Sequence, residues 1–321
     1  KAGRIINKAI LTRTAPTQSR SGSLGSPKKR KKDSLTYYLM GLPALLLFLG
    51  FYLYPALQNL QFATRRWDGI TEPEFVGFRN FTNLLTNDDL FYKTLGNNLE
   101  FTFLVVFFQT IFALLFAVYL VNNSKTNIAL RTLYFFPTIL SSVSVGMIWL
   151  FLYDPNFGAL NLFFKKVGLN FFALNWLGDE KSALYAIAFT QVWFHTGQMM
   201  VVYIAGLQQI PKELYEAAEV DGASRWKQFR NVTWPMSMPT TLVVMAYTTI
   251  QSFRAFDLIM VMTNSTAGPN NSTNIFSTLI YLTLFNELRL GYAAAQTIFM
   301  VIVMILITWL QRQGFGKRYE K

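Results

Sequence analysis

Six stretches of this 321-residue chain stay largely apolar for twenty residues or more: Leu35–Leu57, Leu99–Val121, Thr132–Tyr153, Ala183–Leu207, Thr240–Met262 and Gly291–Leu310. A helix needs about that length to cross bilayer hydrocarbon, where every backbone polar group must be satisfied inside the segment. The chain therefore reads as an all-α, polytopic membrane protein with six transmembrane helices. Charged residues make up 14% of it, against about a quarter in a soluble domain, so the usual wetted surface is missing. The fourth stretch is the most polar, carrying Gln191, His195 and Gln198. Such groups at membrane depth face a protein interior or a water path.

Several function classes drop out early. With no cysteine there is no disulfide, thiolate metal site or cysteine nucleophile, and one histidine leaves little for metal binding or histidine-based catalysis. No Gly-x-x-x-x-Gly-Lys-Ser/Thr phosphate loop occurs, so ATP hydrolysis is not expected in this chain. No catalytic residue, metal site or cofactor of its own is expected. An intramembrane enzyme would also need a Gly-x-Ser-x-Gly elbow or an acid/histidine cluster, and neither is present.

The formal charge of +12 suggests nucleic acid until it is located. Alternate segments between the spans, residues 58–98, 154–182 and 263–290, hold eight Lys/Arg against nine Asp/Glu, while the opposite side holds twenty against six. By the positive-inside bias both termini are expected in the cytoplasm. The excess is a topology signal, not a nucleic-acid patch. Residues 1–34, ending in Lys28-Lys29-Arg30-Lys31-Lys32, read as a basic disordered tail that also attracts anionic lipid. A six-helix transmembrane domain over 35–311 and a short C-terminal tail, 312–321, complete the division.

The long cytoplasmic loop, 208–239, carries the most specific pattern. Pro211 suits a first helical turn, Lys212 to Val220 reads as a short helix with Leu214, Ala217 and Ala218 on one face, and Asp221-Gly222 is a turn. Ser224 is placed to cap a second short helix holding Trp226 and Phe229, which Pro235 is expected to end. The result is a helix–turn–helix with an acidic, small-residue outer surface of the kind that enters another protein's groove.

Glu216-Ala217-Ala218, then Gly222, Val232, Trp234 and Pro235, resemble the EAA signature of permease subunits of bacterial ATP-binding-cassette importers. Leu214, Tyr215, Asp221, Ala223, Phe229 and Pro239 match the extended form found in carbohydrate importers, with Trp234 standing where Leu is usual. Pro43, Tyr54-Pro55, the run Phe75 to Phe81 and Asp154 to Gly158 are similar to the first of the two permeases in maltose- and glycerol-phosphate-type systems.

The resemblance implies a type I importer permease in a bacterial inner membrane. Its expected partners are a second homologous permease, two ATPases that bind ATP and Mg, and an extracytoplasmic solute-binding protein that delivers a saccharide. It implies coupling to the ATPase through Glu216, Ala217, Ala218, Asp221, Gly222 and Pro235. It further implies a substrate pathway along Thr138, Ser142, Phe194, His195, Gln198, Thr248, Gln251 and Ser252. Arg254 and Asp257 are spaced for an i,i+3 pair. The alternatives are a secondary active transporter, against which the lack of internal repeats argues, and an importer permease for a glycerol-phosphate compound.

Overall fold

A computed structural model describes residues 30–316, with side chains from 38 to 315. The tail expected to be disordered lies outside these residues up to Lys29, as does the C-terminal segment 317–321. The described chain is predominantly helical. Residues up to Ala56 form a unit of their own. In it α1 (Arg30–Phe48) starts ahead of Leu35, contains Pro43, and continues through a π turn, Leu49–Leu53, toward α2 (Tyr54–Ala63).

The second unit begins at Leu57. A two-residue antiparallel ladder, β1 (Arg65–Arg66) with β2 (Glu74–Phe75), is the one strand pairing among the described residues. The helix α3 (Arg79–Thr86) buries Asn80 and Leu84, and the Asn80 amide donates to the carbonyls of Ala63 and Arg65. Asp88 caps α4 (Asp89–Leu120) by accepting from the Phe91 amide. There follow α5 (Lys125–Phe135), α6 (Ser142–Leu152), α7 (Ala159–Lys166) and α8 (Glu180–Leu207). Beyond the loop helices α9 (Lys212–Val220) and α10 (Arg225–Gln228) come α11 (Trp234–Phe253), α12 (Phe256–Met262), α13 (Phe276–Phe285) and α14 (Leu290–Gln311).

The central seam is α4 along α8. One half packs Phe101 and Val105 with Ile187 and Val192, the other packs Ala113, Ala117 and Leu120 with Met199, Met200 and Tyr203. Alanines on the α4 side let the backbones approach, the arrangement favoured where lipid supplies no hydrophobic drive between helices.

Among the described residues three helices are long and apolar enough to cross a membrane, Tyr38–Ala63, Asp89–Leu120 and Leu290–Phe315, or four if a bent pair counts as one span. That pair corrects the third expected stretch. Thr132–Tyr153 is not one helix: α5 runs into a tight turn, Phe136–Ile139, breaks, and resumes as α6 at 98°. Pro137 lies in that turn and lacks the N–H that would continue the ladder. The fifth stretch is broken too, at Arg254 and Ala255, whose amides bond three residues back instead of four. The helix α8 is long enough to cross but carries Thr190, Gln191, His195, Thr196 and Gln198, and α11 is rich in Ser and Thr. The segment expected as outer loop contains the apolar α13.

Candidate functional site

The two helix breaks line one cavity. Its volume is about 270 Å³, and Ser142, Phe194, His195, Tyr247, Gln251 and Asp257 line it, with Gln191 and Arg254. It forms because α5 and its turn press against α8 at Gly197, where a Cβ would lie 1.9 Å from the Tyr134 carbonyl oxygen. Only glycine permits that approach. The Thr138 hydroxyl donates to the Phe194 carbonyl at 3.1 Å and locks the turn to α8. Beyond the breaks α6 packs on α12, with Gly146 close to Val261.

Four of the eight residues expected along the pathway meet in this cavity: Ser142, Phe194, His195 and Gln251. The Ser142 hydroxyl donates to Asp257 at 3.0 Å. The His195 ring lies 4.1 Å from that of Phe194, and its Nδ1 is buried without a partner. The other four sit elsewhere. Thr138 is committed to the Phe194 carbonyl, and Gln198 donates to the Tyr247 hydroxyl at 3.2 Å, which holds Tyr247 at the cavity wall. Ser252 is fully buried, bonded to Thr102 and the Thr249 carbonyl, and Thr248 is fully buried with an unpartnered hydroxyl.

The spacing that suggested an Arg254–Asp257 pair assumed a continuous helix. The break between them removes it, and no such ion pair forms. Two contributors were not anticipated. Tyr247 lies one turn before Gln251 on the same face of α11, a signal readable in the sequence. Fully buried Gln109, on α4, donates to Gln251 at 3.4 Å; it is an amide inside an otherwise apolar run, which is itself a signal.

The loop 208–239 folds largely as its residues dictate. The helix α9 spans Lys212–Val220 with Pro211 just before it, Asp221 closes it, and Gly222 takes φ +70° with no atom near its missing Cβ. Ser224 caps α10, its hydroxyl accepting from the Lys227 amide. Pro235 does not end this helix. A π turn, Phe229–Thr233, leads directly into α11, and Pro235 sits in the first turn of α11, where no intrahelical N–H is needed. The inner face is anchored: Tyr215, Phe229, Val232 and Trp234 pack on the α4–α8 core, and the Tyr215 and Thr233 hydroxyls bond at 3.0 Å. The outer face presents Glu216, Ala217, Asp221 and Gly222 to the surroundings, with Val220 89% and Trp226 69% exposed.

Residues 109–314 match the family described as binding-protein-dependent transport system inner membrane component. The chain is 32% identical over 281 residues to the trehalose/maltose transport system permease protein MalF of Thermococcus litoralis, covering 87% of this chain and 92% of that one. It is also 32% identical to the diacetylchitobiose uptake system permease protein NgcF of Streptomyces coelicolor, over 96% of this chain and 94% of the relative. Among solved structures it resembles a chain of a bacterial ABC transporter involved in the import of the acidic polysaccharide alginate. The TM-score is 0.75 at 25% identity, covering 89% of this chain and 96% of that one.

Proposed function

This chain belongs to the binding-protein-dependent transport system inner membrane components, and we propose that it is the permease subunit of an ATP-driven importer that passes a saccharide across the membrane. In this reading six segments cross, including the two broken ones and polar α8 and α11, and both termini face the cytoplasm. The observation that carries it is the polar cavity at the coincident breaks of α5/α6 and α11/α12. Hydroxyl, amide, imidazole and aromatic groups converge there, as recognition of a sugar's edges and faces requires. Arg254 and Asp257 balance in charge, which favours a saccharide over a phosphorylated solute.

Energy enters through the exposed helix–turn–helix. Glu216 pairs with a cation of a separate ATPase, Ala217, Ala218 and Gly222 allow close backbone approach, Asp221 holds the turn, and Pro235 transmits movement into α11. ATP and Mg bind in that partner. A second permease completes the pathway, and a solute-binding protein delivers the substrate on the opposite side. Relatives support the substrate class, since one transports trehalose and maltose and another takes up diacetylchitobiose. Uptake of labelled saccharides by proteoliposomes holding the purified complex, with binding protein and internal ATP, tests the reading. Uptake by this chain alone on a proton gradient would overturn it.

A further inference from the structure

Away from the central cavity, two further cavities of about 420 and 390 Å³ flank Arg289 and Tyr292. Both are lined by Asn83, Arg289 and Tyr292, so they adjoin as the two halves of a cleft between α3, the end of α13 and the start of α14. Each is in the size range of small-ligand sites. The cleft is built rather than incidental. The Tyr292 hydroxyl donates to Asp88 at 2.6 Å, and the Arg289 guanidinium lies 4.1 Å over the Tyr292 ring. The turn that sets Arg289 there is strained, with Leu288 at φ +54°. Strain of this kind persists where the surroundings over-determine it, and it clusters at ligand sites.

The second observation is Gln296. It lines the smaller cavity, is 1% exposed, and its amide oxygen has no partner. A buried amide acceptor left empty is costly unless a donor arrives. Across the cleft, Trp67 supplies an aromatic surface. Three arginines face five carboxylates, namely Arg66, Arg79 and Arg289 against Asp68, Glu72, Glu74, Asp88 and Glu287. Asp68 stays ionised, because the Ile70 and Thr71 amides and the Thr71 hydroxyl hold its carboxyl down to about 2. A net charge of −2 repels polyanions.

We propose that this cleft is a second saccharide site, on the extracytoplasmic face, that takes an uncharged glycan end. The inference rests on the proposed function for its orientation and ligand class. Amide, hydroxyl and carboxylate groups match vicinal hydroxyls, while Trp67 offers a ring face; Tyr292 is buried beneath Arg289 and serves to hold that guanidinium in place.

Hydrogen exchange on the intact transporter complex tests it, with maltotriose and diacetylchitobiose as neutral probes and an alginate trisaccharide as the acidic one. A neutral probe slows exchange in segments 79–92 and 283–296. Half-saturation moves up about tenfold in Gln296→Leu, as expected for one lost hydrogen-bonding partner at a buried position, and rises also in Asn83→Ala. His195→Ala, altered only in the central cavity, keeps this protection. No protection by either neutral probe, equal protection by the acidic one, or protection unchanged in both cleft variants overturns the proposal. Failure of the functional reading is separate: it shows as absence of saccharide uptake by the wild-type complex.

Discussion

The Ser142 hydroxyl donates to the Asp257 carboxylate at 3.0 Å, joining two residues 115 positions apart across two broken helices. The bond ties the start of α6 to the start of α12 at the cavity wall. Asp257 is exposed and Ser142 half-buried at the cavity, so screening moderates the loss when the hydroxyl is removed. Ser142→Ala is expected to lower saccharide uptake by about three- to tenfold with normal membrane insertion, and Ser142→Thr to restore most of it. Asp257→Ala costs more, because it also leaves Arg254 unbalanced. Wild-type uptake in both Ser142→Ala and Asp257→Ala would remove this pair from the pathway.

Arg131 shows how a residue counted only for topology can carry structure. Its Nε donates to the Leu120 carbonyl at 2.8 Å, and Nη2 reaches the Val121 and Asn122 carbonyls, so it closes the C-terminal end of α4. A cation there meets both orphan carbonyls and the negative end of the helix dipole. Arg131→Ala should destabilise the chain by about 1–2 kcal/mol, read as a lower thermal midpoint in detergent. Lysine, without the planar fork, should recover only part of it.

Where the residues act locally, the sequence was legible. Pro211, Gly222 and Ser224 each have a backbone role that needs no distant partner, and α9 lies on Lys212–Val220 as expected. Breaks set by tertiary contact were not. Arg254-Ala255 contains no Pro or Gly, and the polar Gln251, Ser252, Arg254 and Asp257 around it fit a continuous helix as readily as a broken one. Thr248 and Ser252 look like pathway residues by polarity alone, yet they lie on the face of α11 turned into the helix seam, where Ser252 meets Thr102. Periodicity alone does not distinguish a buried polar face from one lining a cavity when lipid, not water, surrounds the bundle.

Glu216 and Gly222 separate coupling from folding. Glu216 is exposed, so Glu216→Lys leaves the fold intact while reversing the charge offered to an ATPase. Insertion should be unchanged, and transport and stimulated ATP hydrolysis should both be lost. Gly222→Ala forces a Cβ into a left-handed conformation at about 1–2 kcal/mol, enough to weaken the turn but not the surrounding core. It should reduce coupling partially, measured as ATP hydrolysed per saccharide imported. Normal coupling in Glu216→Lys would move the contact elsewhere on the loop.

Glu180 gives an acid-sensitive link. Hydrogen bonds from Lys93, at 2.9 Å, and from Asn270 hold its carboxyl below the ordinary value of 4.5. The folded pKa is depressed, so its contribution is full above the unfolded value and is lost as pH falls through the folded one. The thermal midpoint of the wild type should exceed that of Glu180→Gln by a small margin, about 1–3 °C, since the pair is exposed. That gap should hold from neutral pH down to the carboxylate range and close below it. A gap that widens on acidification would mean the sign is wrong.

Gln109 is fully buried on α4, its amide donating to Gln251 and its own oxygen unpartnered, so it reaches the cavity only through Gln251. It is therefore a positioning residue, and its loss should alter which saccharide is accepted more than whether the chain folds. Gln109→Leu removes the unpaired oxygen as well as the donor, so stability should be nearly unchanged or slightly raised. The Gln251 side chain, released, should then select less sharply. The half-saturating concentration should rise about three- to tenfold for the best substrate, with little change in maximal uptake. Gln109→Glu keeps the shape but buries an acid, and should impair folding instead. Equal falls in maximal uptake for every saccharide in Gln109→Leu would assign this residue to helix packing rather than to the substrate path.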